Sequence, residues 1–373
     1  MRIIFAAGGT GGHINPALAA AGEIRERFPD AEILFIGTKD KMEAKLVPAA
    51  GFKFKTIEIS GFYRQLSLKN IKRNLVTLSH LLSSSKEAKK IILDFKPDVV
   101  VGFGGYVSGP VVRMAAKLGI HTAIHEQNAY PGITNKALAK EVDKVMLTVE
   151  KAKEYLEAKN PPVVTGLPVR GEILRADRGV SRAELGIRDN QKLILSMGGS
   201  LGAEAINNAM VELIAENHNN KNLYFLHATG QFGLWVPDKL REKGVDPDKE
   251  DNVEIREYIA DMARCMSAAD IVICRAGASS LSEIEALGKA SILIPSPNVA
   301  ENHQYHNAMA LTRKDAAVLI EEKDLNAESF GKVFSSLIND EGRIKTLSEN
   351  AKKLAITDAK EKIADIIVSL AQK

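Results

Sequence analysis

Cysteine is nearly absent from this chain. Cys265 and Cys274 are the only two in 373 residues, in neither a metal-ligand nor a CxxC spacing, which excludes a disulfide scaffold and points to a reduced, cytoplasmic setting. Long apolar runs are absent too: nothing approaches the ~18 residues of a membrane span. The opening Met1-Arg2-Ile3-Ile4-Phe5-Ala6-Ala7 reaches glycine too early for the apolar core of a signal peptide. No low-complexity tract occurs. What remains is an ordinary globular balance, 45% hydrophobic and 26% charged, in a length that suggests two domains or three.

Charge is unevenly placed although the net is only +3. Residues 1–160 hold 24 Lys and Arg against 16 Asp and Glu, net +8, and the remainder holds 26 against 31, net −5. Within 51–90 the basic residues outnumber the acidic by nine to two. Such an N-terminal half suits an anionic partner (nucleic acid, phospholipid or a phosphorylated substrate), and a solvated basic face would carry the same charge.

Four segments share one pattern: a short apolar strand, a glycine turn, then a helix. Arg2–Ala7 runs into Gly8-Gly9-Thr10-Gly11-Gly12-His13, after which Asn15 can cap a helix opened by Pro16, with Ala17, Ala21, Ile24 and Phe28 at helical spacing. Val99–Val101 leads to Gly102-Phe103-Gly104-Gly105-Tyr106 and a helix over Val111–Lys117. Lys192–Met197 leads to Gly198-Gly199-Ser200-Leu201-Gly202 and a helix over Gly202–Ile214. Ile271–Cys274 leads to Arg275-Ala276-Gly277-Ala278-Ser279-Ser280 and a helix through Leu287. Alternating strands and helices imply parallel sheets covered on both faces. The first and third turns lie about 190 residues apart, more than one ordinary domain. The chain therefore reads as two doubly wound α/β domains, joined near the Pro- and Gly-rich 160–168, with the turns lining a cleft at the carboxyl ends of the strands.

Glycine turns that open helices suit phosphate or another anion. The first is not a dinucleotide fingerprint, because Ile14 stands where the third glycine belongs and the second strand ends Phe35-Ile36-Gly37-Thr38 without a carboxylate. No Lys-Ser/Thr follows the glycines, which excludes a P-loop. Asp246-Pro247-Asp248 has the spelling of a metal-holding Asp-x-Asp, but no strand precedes it and it reads as a surface turn. No other His, Cys and carboxylate grouping suggests a metal. A diphosphate would be held by backbone dipoles, hydroxyls and arginine.

Seven motifs in order resemble those of the MurG family, the UDP-N-acetylglucosamine:N-acetylmuramyl-(pentapeptide) pyrophosphoryl-undecaprenol N-acetylglucosaminyltransferases. They are GGTGGH at Gly8–His13, GFGGYVSGP at Gly102–Pro110, HEQN at His125–Asn128, GLPVR at Gly166–Arg170, GGSLGA at Gly198–Ala203, CRAGASSLSE at Cys274–Glu283 and ENHQ at Glu301–Gln304. Leu167 and Leu201 depart from the frequent Asn and Gln of the pattern. The resemblance implies the GT-B glycosyltransferase fold, two Rossmann-like parallel-sheet domains facing across a cleft. It divides the chain into an acceptor-binding, membrane-facing domain over 1–163, a UDP-GlcNAc-binding domain over 164–350, and a segment 351–373 whose helix, around Leu354–Leu370, returns to the first domain. It implies an inverting, metal-independent transfer with no cofactor: the muramic acid C4 hydroxyl of lipid I displaces UDP from UDP-GlcNAc, giving lipid II.

The same resemblance distributes roles. Ser200 meets the donor diphosphate, a place where it could equally cap a helix. Arg170 neutralises departing UDP or makes a structural ion pair. Glu283, counted with the catalytic groups, takes the ribose hydroxyls or simply favours a helix N-terminus. Ala278, Ser279, Ser280, Leu281 and Ser282 surround the nucleotide, and the main chain at Ile259, otherwise a core residue, meets uracil. Asn128 and Gln304 hydrogen-bond the donor sugar or cap loops. Thr10, Gly11 and Gly12 approach the donor or the acceptor diphosphate. His13 is the candidate base, since an imidazole in general suits removal of a hydroxyl proton near neutral pH, or else an acceptor-positioning group. Gly104, Gly105, Tyr106 and His125 lie on the acceptor side, with His125 a rival base.

A lipid acceptor requires docking on a bilayer. Leu68, Ile71, Leu75, Leu78 and Leu82 form a helical stripe flanked by Lys69, Lys72 and Arg73, with Arg64 and Lys86 nearby. These suit anionic phospholipid, although the stripe alone reads as ordinary packing. The resemblance places the protein peripherally on the cytoplasmic face of the bacterial plasma membrane, with cell-wall or division machinery as partners and no nucleic acid. Competing readings are another GT-B transferase, a UDP-GlcNAc 2-epimerase, and a catalytically silent UDP-sugar-binding subunit.

Overall fold

Ile3, Ile4, Phe5 and Ala6 are all fully buried, an unbroken apolar run that only a strand covered on both faces can hide. The computed structural model, which describes residues 1–59 and 83–373, shows how this is done. Strands β1 (Arg2–Ala6), β2 (Glu32–Gly37), β3 (Lys53–Thr56), β4 (Val99–Gly102), β5 (His121–Glu126), β6 (Lys144–Leu147) and β7 (Val163–Val164) form one sheet, ordered β3-β2-β1-β4-β5-β6-β7. A second contains β8 (Lys192–Met197), β9 (Leu223–Ala228), β10 (Val253–Arg256), β11 (Ile271–Cys274), β12 (Ala290–Leu293) and β13 (Val318–Leu319), ordered β10-β9-β8-β11-β12-β13. Every described pairing is parallel.

The chain divides into two compact units, Met1–Pro168 with Asp358–Lys373, and Val169–Thr357. The divisions fall a few residues beyond those drawn from the sequence. In the first unit the alternation of β1 feeds two cores, Ile3 and Phe5 packing on one side of the sheet and Ile4 and Ala6 on the other. Phe5 stacks between Phe35 and Phe103, with ring centroids 5.1 and 5.9 Å away. In the second unit β8 alternates likewise, Leu193 and Leu195 against Ile194. Each of the buried Ile, Leu and Phe side chains contributes about 1.5–3 kcal/mol.

Three boundaries differ from the sequence reading. The first helix is Gly11–Arg27 and starts inside the glycine turn, so Asn15 and Pro16 lie within it and extended Thr10 precedes it. Proline forfeits one backbone bond there, a small loss beside the burial of Ile14, Ala17, Ala21 and Ile24. The helix after β8 is Glu204–Asn217, so Ser200 belongs to the turn before it and Ala203 takes the capping place. Leu354 ends the helix Glu341–Leu354, and the last helix is Ala359–Ala371. That helix buries Ile363, Ala364 and Ile367 in the first unit's core. Lys360 and Asp365 tie it to Glu23 and Arg27 of the first helix, at 2.8 and 2.7 Å.

The stripe Leu68, Ile71, Leu75, Leu78 and Leu82, with Arg64, Lys69, Lys72 and Arg73, lies outside the described residues. Lys86 is exposed on a helix that covers 83–95. Among the described residues, no helix is long and apolar enough to cross a membrane.

Candidate active site

In each sheet the strand order reverses at one point, between β1 and β4 in the first and between β8 and β11 in the second. Crossover helices leave in opposite directions there, opening a crevice at the carboxyl ends of the strands. All four glycine turns follow these strands. The four glycine motifs thus occupy the same topological position twice.

In the first unit, His13 stands in the opening turn of Gly11–Arg27. Its Nδ1 lies 3.0 Å from the Gly8 carbonyl and 3.3 Å from Thr10 Oγ1. A carbonyl only accepts, so in the neutral ring the proton is assigned to Nδ1 and the lone pair to Nε2. The β4 turn packs over this arrangement. A Cβ on Gly104 would sit 2.7 Å from His13 Cδ2, and one on Gly105 would sit 2.3 Å from the Gly8 oxygen. Both have positive φ, 99° and 78°, so glycine alone fits. Buried Ser108 staples the two turns: its hydroxyl lies 2.8 Å from the Ala6 and Gly104 carbonyls and accepts the Gly104 N–H at 3.0 Å. Tyr106 beside them is exposed.

His125 is a core group in this structure. It is fully buried, stacked on Phe103 at 5.4 Å, with Nε2 on the Gly166 carbonyl at 3.0 Å and Nδ1 on Gln127 at 3.1 Å. Burial lowers its pKa to about 4, the Gly166 bond opposing only in part. Such surroundings argue against acceptor contact or proton transfer by this imidazole. Asn128 donates its N–H and its amide to Glu126 Oε1, at 2.9 and 3.2 Å. Glu126 also accepts from Gly132 N–H and Asn135, so this buried carboxylate shapes the loop that carries Asn128.

In the second unit a cavity of about 150 Å³ opens at the carboxyl ends of β8, β9 and β11. Arg170, Ser200, Glu283, Ser280 and Ile259 all line it. Arg170 Nε donates to Glu283 Oε1 at 2.7 Å, and Nη1 to Glu172 at 3.2 Å. Burial disfavours the guanidinium's charge, and the Glu283 bond together with the negative charges of Glu283 and Glu172 outweighs this, holding its pKa above the ordinary value. The helix Ala278–Leu287 is preceded by Gly277, which has no side chain to cap it, and Glu204–Asn217 by Ala203. Their first-turn N–H groups therefore keep their capacity for an anion. By contrast Asn326 and Asp340 cap their helices.

Other sequence-named positions fall elsewhere. Leu281 packs into the core and Ser282 is buried beside it, while Ala278 and Ser279 open the helix. Ile259 is both core and cavity lining. Gln304 does not line the cavity; its Oε1 accepts the Ser296 N–H at 2.9 Å. Asp246 and Asp248 form a surface turn and pair with Arg241 at 3.3 and 2.7 Å. Glu257, Tyr258 and Met262, which also line the cavity, escaped the sequence reading. Their one signal is that they follow a strand's carboxyl end.

Comparison with known proteins agrees with this arrangement. Residues 3–147 match the glycosyltransferase family 28 N-terminal domain, and residues 193–365 match its C-terminal domain. A UDP-N-acetylglucosamine--N-acetylmuramyl-(pentapeptide) pyrophosphoryl-undecaprenol N-acetylglucosamine transferase from Acetivibrio thermocellus is 46% identical, over 98% of this chain and 97% of its own. The like-named protein of Bacillus cytotoxicus is 42% identical over the full length of both. The crystal structure of Acinetobacter baumannii MurG superposes with a TM-score of 0.81 at 27% identity, covering 99% of each chain. This chain belongs to glycosyltransferase family 28, among the MurG enzymes. A UDP-GlcNAc 2-epimerase from Neisseria meningitidis shares the fold alone, with a TM-score of 0.62 at 15% identity. The two departures from the MurG pattern are of different kinds: Leu167 is buried, whereas Leu201 is exposed on the turn beside Ser200.

Proposed function

We propose that this protein transfers N-acetylglucosamine from UDP-GlcNAc to the C4 hydroxyl of undecaprenyl-pyrophosphoryl-MurNAc-pentapeptide with inversion, as a MurG enzyme. The observation that carries the reading is the second unit's cavity, which gathers Arg170, Ser200 and Glu283 at the β8/β11 switch point. Glu283 would accept the ribose hydroxyls. Ser200 and the uncapped helix starts would hold the diphosphate, and Arg170 would neutralise the charge that grows on UDP as the C1–O bond breaks. The acceptor oxygen forms the new bond to C1, and its proton passes to Nε2 of His13, the nitrogen left unprotonated by the Gly8 bond. Thr10, Gly11 and Gly12 would face a substrate diphosphate, and Gly104, Gly105 and Tyr106 the acceptor sugar. Asn128 and Gln304 would hydrogen-bond the donor sugar from loops that their bonds to Glu126 and Ser296 help to shape.

Because the acceptor carries a polyprenyl chain, docking is peripheral, at the cytoplasmic membrane face where nucleotide sugars occur. The basic residues among 51–90 would meet anionic phospholipid there, close to cell-wall and division machinery. The test is UDP release and disaccharide formation with and without a lipid I analogue, in EDTA. Acceptor-dependent product in EDTA is expected. Conversion of UDP-GlcNAc to its C2 epimer without acceptor would favour the epimerase reading, and donor binding with neither epimerisation nor transfer to a competent acceptor would favour a silent binder.

A further inference from the structure

No sequence motif marks Glu43, yet the fold buries it completely. It opens the short helix Glu43–Ala49 and reaches the turn after β1. Its Oε2 accepts the Gly9 N–H at 3.1 Å, and its Oε1 accepts the Thr38 N–H at 3.0 Å and the Thr38 hydroxyl at 2.7 Å. A Cβ on Gly8 would lie 2.6 Å from Oε1, so the carboxylate packs directly on the Gly8 backbone.

The Gly9 N–H and the Gly8 C=O belong to one peptide plane. Glu43 holds the N–H end, and His13 Nδ1–H holds the C=O end at 3.0 Å. Burying a carboxylate costs stability that an apolar side chain of similar size would not. A negative charge on a peptide N–H polarises the group and strengthens its carbonyl as an acceptor. The chain Glu43–peptide–His13 has the logic of a carboxylate that orients a catalytic imidazole, with a peptide plane interposed.

We propose that Glu43 is a positioning residue: by fixing and polarising the Gly8–Gly9 peptide, it holds His13 in the Nδ1–H tautomer with Nε2 presented as the base. This rests on the reading of His13 as base. Glu43→Gln conserves the side chain's size. Its oxygen can still serve Thr38, but its NH₂ then meets the Gly9 N–H, donor against donor.

The experiment measures turnover of the full chain with UDP-GlcNAc and a lipid I analogue, alongside melting and UDP binding. The variants are E43Q, H13A, the double variant, and V47A as a stability control on the same helix, where Val47 is buried. E43Q is expected to lower kcat by ~10–100-fold with little change in UDP affinity, as loss of an orienting partner does. V47A should melt earlier while kcat stays within about twofold, and E43Q should add little in the H13A background. If E43Q turns over no more slowly than V47A, or costs as much without His13 as with it, the proposal for Glu43 is overturned. Wild-type turnover in H13A would instead remove the base itself, and with it the role of Glu43.

Discussion

Glu283 and Glu285 stand two residues apart on one helix and meet opposite surroundings. Glu283 faces the cavity and pairs with Arg170, whereas burial alone pushes the Glu285 carboxyl up to about 8 from its ordinary 4.5. Between 4.5 and about 8 the folded chain therefore holds a proton that the unfolded chain has released, and stability falls as pH rises through that window. Glutamine at this position has nothing to titrate. The melting temperature of Glu285→Gln relative to wild type should rise from pH ~5 to ~8, by several degrees. A pH-independent difference would show that Glu285 is ionised in the fold. Neither carboxylate is distinguished by residue type: Glu283 was singled out by its motif, and Glu285 by nothing short of its burial. His125 makes the same point in reverse. Its motif carried it to the acceptor side, and the structure stacks it on Phe103 in the core.

At the scale of elements, the two glycine turns of the first unit act as one device. Gly105 presses on the oxygen that orients His13, leaving no room for a side chain. Gly105→Ala should displace the Gly8 carbonyl and lower turnover by ~10-fold or more, through loss of orientation. UDP affinity, which the proposal assigns to the second unit's cavity, should be unchanged. Turnover close to wild type would mean that the contact does not govern His13. Ser108 and Glu43 brace the same turns from beneath. Helix starts were the least legible elements. Gly11 begins a helix in spite of Pro16 because buried Ile14 and Ala17 anchor its first turns, and packing of that kind outweighs a proline preference for the first position.

At the scale of the whole molecule, two parallel sheets repeat one plan, and the residues assigned to UDP come from segments far apart in the chain. Hydrogen exchange with UDP should show protection at Arg170, around 198–203, at 257–262 and along 277–283, the segments that line or adjoin the cavity. Protection confined to 8–13 would move the nucleotide to the first unit. The charge division follows the same halves, with net +8 in residues 1–160.

The α/β class, the pairing of two similar halves, the glycine turns and the family were all determined by the sequence, because each depends on local features. Apolar runs make buried parallel strands, and glycines sit where no Cβ fits. Only the tertiary structure decided which named residues meet. It brought Arg170, Ser200 and Glu283 into one cavity, set Gln304 apart from it, sank His125, and placed Glu43 at the far end of the peptide that holds His13. Contacts such as Gly9–Glu43 and Arg170–Glu283, 34 and 113 positions apart, depend on strand order and burial, and no local pattern of spacing records them.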